Sequence, residues 1–141
     1  MCWPRDSRQA IRAIMKPIRV LLVDDSAVMR KVVERSLHDA GIAVGEVLEA
    51  KDGWEALAAV REQSPDLILC DINMPTMDGI EFLKTLQGTD AAGKIPVVMV
   101  TTEGGESRVH DAMAAGARAY ISKPFTAEQL KSKILPVLEG R

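Results

Sequence analysis

Long apolar runs are missing from this chain, and the longest stretches, such as Ile95-Pro96-Val97-Val98-Met99-Val100, fall far below the roughly 18 residues a membrane-spanning helix requires. Cysteine is scarce. Cys2 lies in a polar N-terminal stretch and Cys70 inside a strand-like apolar run, so no disulfide is expected; Cys70 reads as a small buried hydrophobe suited to a reducing cytosol. His38 and His110 lie on expected helices with no cysteine or second histidine at ligand spacing, which speaks for solvated surface and against a zinc site. No sign of charge dominates, with 18 basic against 20 acidic side chains, and no nucleic-acid partner is expected. A glycine-rich turn is absent after the first expected strand, where Asp24-Asp25-Ser26 stands instead, and this comes close to excluding a dinucleotide-binding domain.

There are no internal repeats and no long linkers, and 141 residues leave room for one well-packed domain and little more. Residues 1–17 carry Arg5, Arg8, Arg12 and Lys16 against Asp6, about +3, which leaves about −5 for the rest. They lack the apolar core of about 7–15 residues found in signal peptides, so export is not expected and a cytoplasmic location is. This stretch reads as a flexible extension to a domain over residues 18–141, and Met15-Lys16-Pro17 offers a second start directly before the first strand.

The domain alternates strand and helix patterns. Strands are expected at Ile18–Val23, Glu46–Ala50, Asp66–Asp71, Ile95–Val100 and Ala119–Lys123. Between them come helices over about Ala27–Ala40, with Val28, Met29, Val32, Val33 and Leu37 on one face, and Asp52–Gln63, buried through Trp54, Leu57, Ala58 and Val60. Two more helices cover about Ile80–Leu86 and Ser107–Ala115, and a last one ends near Leu138, its start marked by the capping-box spacing of Thr126 and Gln129. Gly88 to Lys94 is the loosest stretch. Five such units with right-handed crossovers give a doubly wound α/β fold with a parallel sheet.

Charged residues stop several of the strands: Asp24 and Asp25 the first, Asp71 the third, Lys123 the fifth, with the Thr101 hydroxyl after the fourth. If the first and third strands are neighbours, three acids converge. Two carboxylates about 4 Å apart repel by roughly 4 kcal/mol at an effective dielectric near 20, against a total stability of about 5–15 kcal/mol. Helix capping alone accounts for Asp24 or Asp25, and a salt bridge to Lys123 for Asp71, but neither explains the combination. The cluster reads as a site for a hard divalent cation, Mg²⁺ or Mn²⁺ rather than zinc. A carboxylate beside a cation, a hydroxyl and a lysine is the equipment for phosphoryl transfer to that carboxylate.

In five segments taken in order, Val23-Asp24-Asp25-Ser26, Asp71-Ile72-Asn73-Met74-Pro75-Thr76-Met77-Asp78-Gly79, Thr101-Thr102, Tyr120 and Lys123-Pro124-Phe125, the chain resembles the receiver domains of two-component response regulators. The likeness is strongest to single-domain chemotaxis regulators of the CheY type and runs from Ile18 to Leu138. It implies a flavodoxin-like (βα)5 fold with strand order 2-1-3-4-5, and a signalling switch that assists its own phosphorylation and dephosphorylation rather than an enzyme. By that resemblance Asp71 is the phosphoacceptor. Asp25 and Asp71 ligate Mg²⁺ by carboxylate, Asn73 by its main-chain carbonyl and Asp24 through water, while Lys123 contacts a phosphoryl oxygen next to a cis Lys123-Pro124 bond. Thr101 and Tyr120 match a switch pair that remodels the face made by the helix after Thr101, the fifth strand and the last helix.

The implied partners are a histidine kinase as donor and a downstream protein target, with monomer as the default state and no membrane insertion. The alternative is a phosphate relay or sink that exchanges with a histidine phosphotransfer protein. Ile72 stands where flagellar-motor binders carry tryptophan, and Glu103-Gly104-Gly105-Glu106 is acidic where they are basic, which counts against motor binding. Asp71-Ile72-Asn73 faintly matches haloacid-dehalogenase-type phosphatases, but the second acid is absent and the nucleophile ends the third strand, not the first.

Overall fold

Ile18, Val20 and Leu22 alternate with Leu21 and Val23 along β1 (Ile18–Val23), and a period of two sends these side chains to opposite faces of the strand. Both faces must then be covered, which a parallel sheet achieves through its crossover helices. The computed structural model describes residues 17–102 and 106–139; the expectations for residues 1–16 with Cys2, and for Glu103-Gly104-Gly105, lie outside them. After β1 come α1 (Ala27–Asp39), β2 (Val44–Ala50), α2 (Gly53–Gln63), β3 (Leu67–Asp71) and α3 (Gly79–Gln87). The chain continues through β4 (Val97–Thr102), α4 (Glu106–Ala114), β5 (Ala119–Lys123) and α5 (Ala127–Glu139).

The strands form one parallel sheet in the order β2-β1-β3-β4-β5, the flavodoxin-like arrangement implied by the resemblance. Val20, Leu22, Leu67, Leu69, Val98, Val100 and Ile121 pack with Val33 and Leu37 of α1 and Leu130, Ile134 and Leu138 of α5. On the other face Leu21, Val23, Ile68, Cys70 and Met99 pack with Ala56 and Val60 of α2, Phe82, Leu83 and Leu86 of α3, and Ala112 of α4. Chain order changes direction between β1 and β3, whose following helices leave to opposite faces. Their carboxyl ends therefore open a crevice at the switch point, where polar groups escape the core.

Side-chain caps start the helices that leave this edge. Ser26 Oγ accepts from Met29 N at 3.2 Å, Asp52 from Glu55 N at 2.9 Å and Asp78 from Glu81 N at 2.9 Å. Thr126 and Gln129 form the expected reciprocal box, at 3.1 and 2.9 Å. Gly79 is required by closeness and not by its φ: a Cβ there would fall onto the Asp71 carbonyl oxygen and press on Ile72 Cα, while its N–H donates to Ile72 O at 2.8 Å. That contact seats the start of α3 directly against the end of β3.

Some boundaries and faces differ from expectation. β2 begins at Val44, Asp52 is the cap of α2 and not its first residue, and β4 is displaced to Val97–Thr102, so Thr101 lies inside the strand. Pro96 lacks an N–H and stands before the strand. Val28 and Val32 are exposed, because the buried stripe of α1 runs through Val33 and Leu37 and each preceding residue is rotated by about 100° around the helix. Trp54 is 61% exposed, on the side of α2 away from Ala56, Ala59 and Val60. Among the described residues no helix is long and apolar enough to cross a membrane. Cys70 is a buried free thiol, and His38 and His110 are exposed, as expected.

Candidate functional site

Parallel pairing sets Val23 of β1 beside Cys70 of β3, so the next residues, Asp24 and Asp71, leave the sheet side by side. Asp24, Asp25 and Asp71 each offer a carboxylate oxygen within 4.8 Å of the others; Asp24 and Asp71 are buried and Asp25 is exposed. β5 contributes Lys123, whose Nζ lies 3.2 Å from Asp24 Oδ2 and 3.9 Å from Asp71 Oδ2. One ammonium thus pairs with two of the three carboxylates and leaves the cluster with excess negative charge. The donors are hard oxygens at an open rim, a set that fits Mg²⁺ or Mn²⁺.

Asp24 is held at each of its polar atoms, main chain and side chain. Its N–H donates to Ala50 O at 3.0 Å, its Oδ1 accepts from Ser26 N at 2.9 Å, its Oδ2 faces Lys123, and its carbonyl accepts from Arg30 Nη1 at 2.6 Å. Arg30 also donates through Nε to Glu49 Oε1 at 2.9 Å. Sequence reasoning missed Arg30 because one of its acceptors, Glu49, lies on β2 and the other is a main-chain carbonyl just past β1. Asp71 Oδ1 accepts from Asn73 N at 3.4 Å, and the Lys123-Pro124 bond is cis, as the resemblance implied. The Cys70 thiol is pushed well up by burial and then by neighbouring Asp71, so it stays protonated, donating to Asp71 O at 3.2 Å.

Thr101 is buried, one residue beyond the Val100–Asp71 pair, and its Oγ1 donates to Thr102 O at 3.2 Å. Met99 pairs with Tyr120 and Thr101 with Ser122, so Thr101 and Tyr120 project from the same face of the sheet. Tyr120 is 40% exposed, and Lys133 Nζ of α5 lies 5.3 Å from its ring centroid. Farther off, Arg108 at the start of α4 pairs with Asp78, the cap of α3, at 2.9 Å. Ile72 is fully buried.

Burial raises the Asp71 pKa from 3.8 to about 6; Lys123 opposes the rise, Asp24 adds to it, the Asn73 N–H opposes it and Asp25 adds a little more. The folded form therefore binds the proton more tightly than the unfolded chain does. Its contribution to stability is fully present below the unfolded value of 3.8 and is lost as pH rises through about 6. The shift is worth at most about 3 kcal/mol, cut to roughly 1–2 by solvent at the open rim. In EDTA, denaturant titrations of wild type against Asp71→Asn are expected to show the asparagine variant gaining on wild type between about pH 4 and pH 7. A gap independent of pH would contradict the buried-carboxylate account.

A doubly wound parallel sheet with an acidic crevice at its switch point defines the flavodoxin-like α/β class, with its chemistry at the carboxyl edge. The family model for the response regulator receiver domain matches residues 20–135, and the chain belongs to that family. Chemotaxis protein CheY-3 of Vibrio cholerae is 37% identical over 124 residues, 88% of this chain and 94% of that protein. Chemotaxis protein CheY1 of Helicobacter pylori is 39% identical over 124 residues, covering 86% and 97%. Among solved structures, chemotaxis response regulator CheY4 of Vibrio cholerae aligns with a TM-score of 0.74 at 37% identity, covering 87% of this chain and 99% of that one. The receiver domain of NtrX from Brucella abortus aligns at 0.76 with 31% identity, covering 86% and 99%. The chain is thus a CheY-like receiver of two-component signalling, a class of signalling switches that in general bind Mg²⁺ and work between histidine kinases and downstream targets.

Proposed function

We propose that Asp71 is the phosphoacceptor of this receiver, charged by a histidine kinase and assisted by a divalent cation. The observation that carries the reading is the convergence of Asp24, Asp25 and Asp71 around one lysine at the switch point. Asp25 and Asp71 would hold Mg²⁺ by carboxylate, Asn73 by its main-chain carbonyl and Asp24 through water. When bound, the ion neutralises charge on the phosphoryl oxygens and the carboxylates together. A carboxylate oxygen of Asp71 attacks phosphorus in line; the bond from phosphorus to the donor imidazole nitrogen breaks, and that nitrogen keeps the electron pair. Lys123, already between Asp24 and Asp71, donates to a phosphoryl oxygen.

Thr101 and Tyr120 supply the switch. Among the described residues Thr101 Oγ1 has its neighbour's carbonyl as its one partner, a bond it can exchange for a new acceptor on Asp71, and the half-exposed Tyr120 ring on the same face can turn into the space it leaves. The phosphoryl group favours that arrangement and shifts the population, remodelling the surface of α4, β5 and α5 for a protein target. Labelling by acetyl phosphate, followed by intact-protein mass, is expected in Mg²⁺ and absent in EDTA. Lys123→Ala is expected to slow labelling by about 10²-fold while keeping the Mg²⁺-induced thermal shift. Equal labelling in EDTA, or a lysine variant that labels normally, would contradict the reading. Reversible transfer of label to and from a histidine phosphotransfer protein would mark the relay function instead.

A further inference from the structure

Arg30 stands on the first turn of α1 with its side chain largely buried, its guanidinium divided between the Asp24 carbonyl at 2.6 Å and Glu49 Oε1 at 2.9 Å. It lines a small cleft with Leu22, Asp24, Leu69 and Asp71 directly beneath the acidic cluster. We propose that Arg30 is a positioning residue for the divalent cation: its two-armed grip fixes the β1–α1 turn that carries Asp24 and Asp25. The inference rests on the cation-site reading given above.

Two roles for this side chain predict opposite signs. As a charge alone, a guanidinium near the site repels a divalent ion, so removing it would tighten binding. As a clamp, it orders carboxylates that would otherwise have to be ordered when the ion binds, so removing it weakens binding. The clamp is the stronger effect, because Glu49 already offsets the positive charge. Two of the bonds that hold the turn reach the tip of β2, Asp24 N to Ala50 O and Arg30 Nε to Glu49 Oε1, and Arg30 links the second of them to the Asp24 carbonyl. Groups that orient metal ligands in this way are worth about 10–100-fold in affinity when removed. Lysine keeps the charge but is a point donor and cannot grip two acceptors in one plane.

The test is calorimetric titration of Mg²⁺ and Mn²⁺ into the full chain as wild type, R30A and R30K, with melting temperatures in EDTA measured alongside. Both variants are expected to bind at least about tenfold more weakly than wild type. An R30A protein that binds as tightly as wild type, or more tightly, shows the residue acting only as a charge and overturns the inference. So does R30K with wild-type affinity, which also serves if R30A fails to fold. A lower melting temperature in EDTA with unchanged affinity marks a purely structural side chain and overturns it as well. Failure of the wild-type chain to bind either ion would instead bring down the site reading, and this inference with it.

Discussion

Asp71→Ala is expected to reduce labelling by acetyl phosphate to background while the domain stays folded. The side chain ends β3 and lies at the rim of the crevice, so its loss removes the attacking oxygen without opening the apolar layers on either face of the sheet. Lys123 keeps Asp24 at 3.2 Å as its partner, and no buried cation is stranded. In EDTA the variant should be no less stable than wild type at neutral pH, because a buried ionised carboxylate beside two others has been deleted. Intact-protein mass and peptide mapping with acetyl phosphate and Mg²⁺ provide the measurement. Label that persists on Asp24 or Asp25 would show that the phosphoacceptor has been misassigned.

Asp25→Ala should separate repulsion from ligation. Its oxygen lies within 4.8 Å of those of Asp24 and Asp71, a spacing that corresponds to about 3 kcal/mol of repulsion per pair at an effective dielectric near 20. Asp25 is exposed, and solvent screening reduces this to on the order of 1 kcal/mol or less. Without metal, therefore, the variant is expected to melt a few degrees higher than wild type, about 2–6 °C for a domain of this size. With Mg²⁺ at about a hundred times the dissociation constant, wild type gains about 2.7 kcal/mol by mass action, and the variant loses nearly all of that gain because a carboxylate ligand is gone. Thermal melts across a magnesium series give the answer. The same magnesium-induced shift in both proteins would argue against Asp25 as a ligand.

Both predictions draw on features readable along the chain. Alternating apolar residues followed by an acid marked β1 and β3, and Ala119–Lys123 was placed to the residue. The Thr126 and Gln129 spacing is realised as two hydrogen bonds. Local signals of this kind survive because capping and strand alternation involve residues only a few positions apart. The misplaced faces have an equally local cause. Val28, Val32 and Trp54 are apolar at helical spacing, but which of two adjacent stripes is buried depends on the angle at which the helix docks, and no short-range pattern records it. The turn after β3 favours a residue without Cβ at Gly79, and the cause, the approach of α3 to the Asp71 carbonyl, comes from the packing.

What the order of residues determined by itself was the alternation of elements, the chemical types at the strand ends and the cap chemistry, all of which depend on neighbours in the chain. Tertiary structure alone decided that β1 and β3 lie side by side, so that Asp24, Asp25 and Asp71 share one crevice with a lysine from β5 some fifty residues farther on. It also decided that Arg30 grips the Asp24 carbonyl and Glu49 at once. The reason is geometric: these groups sit on separate strands and helices, and only the packing of two apolar layers against a single twisted sheet sets the distances between them.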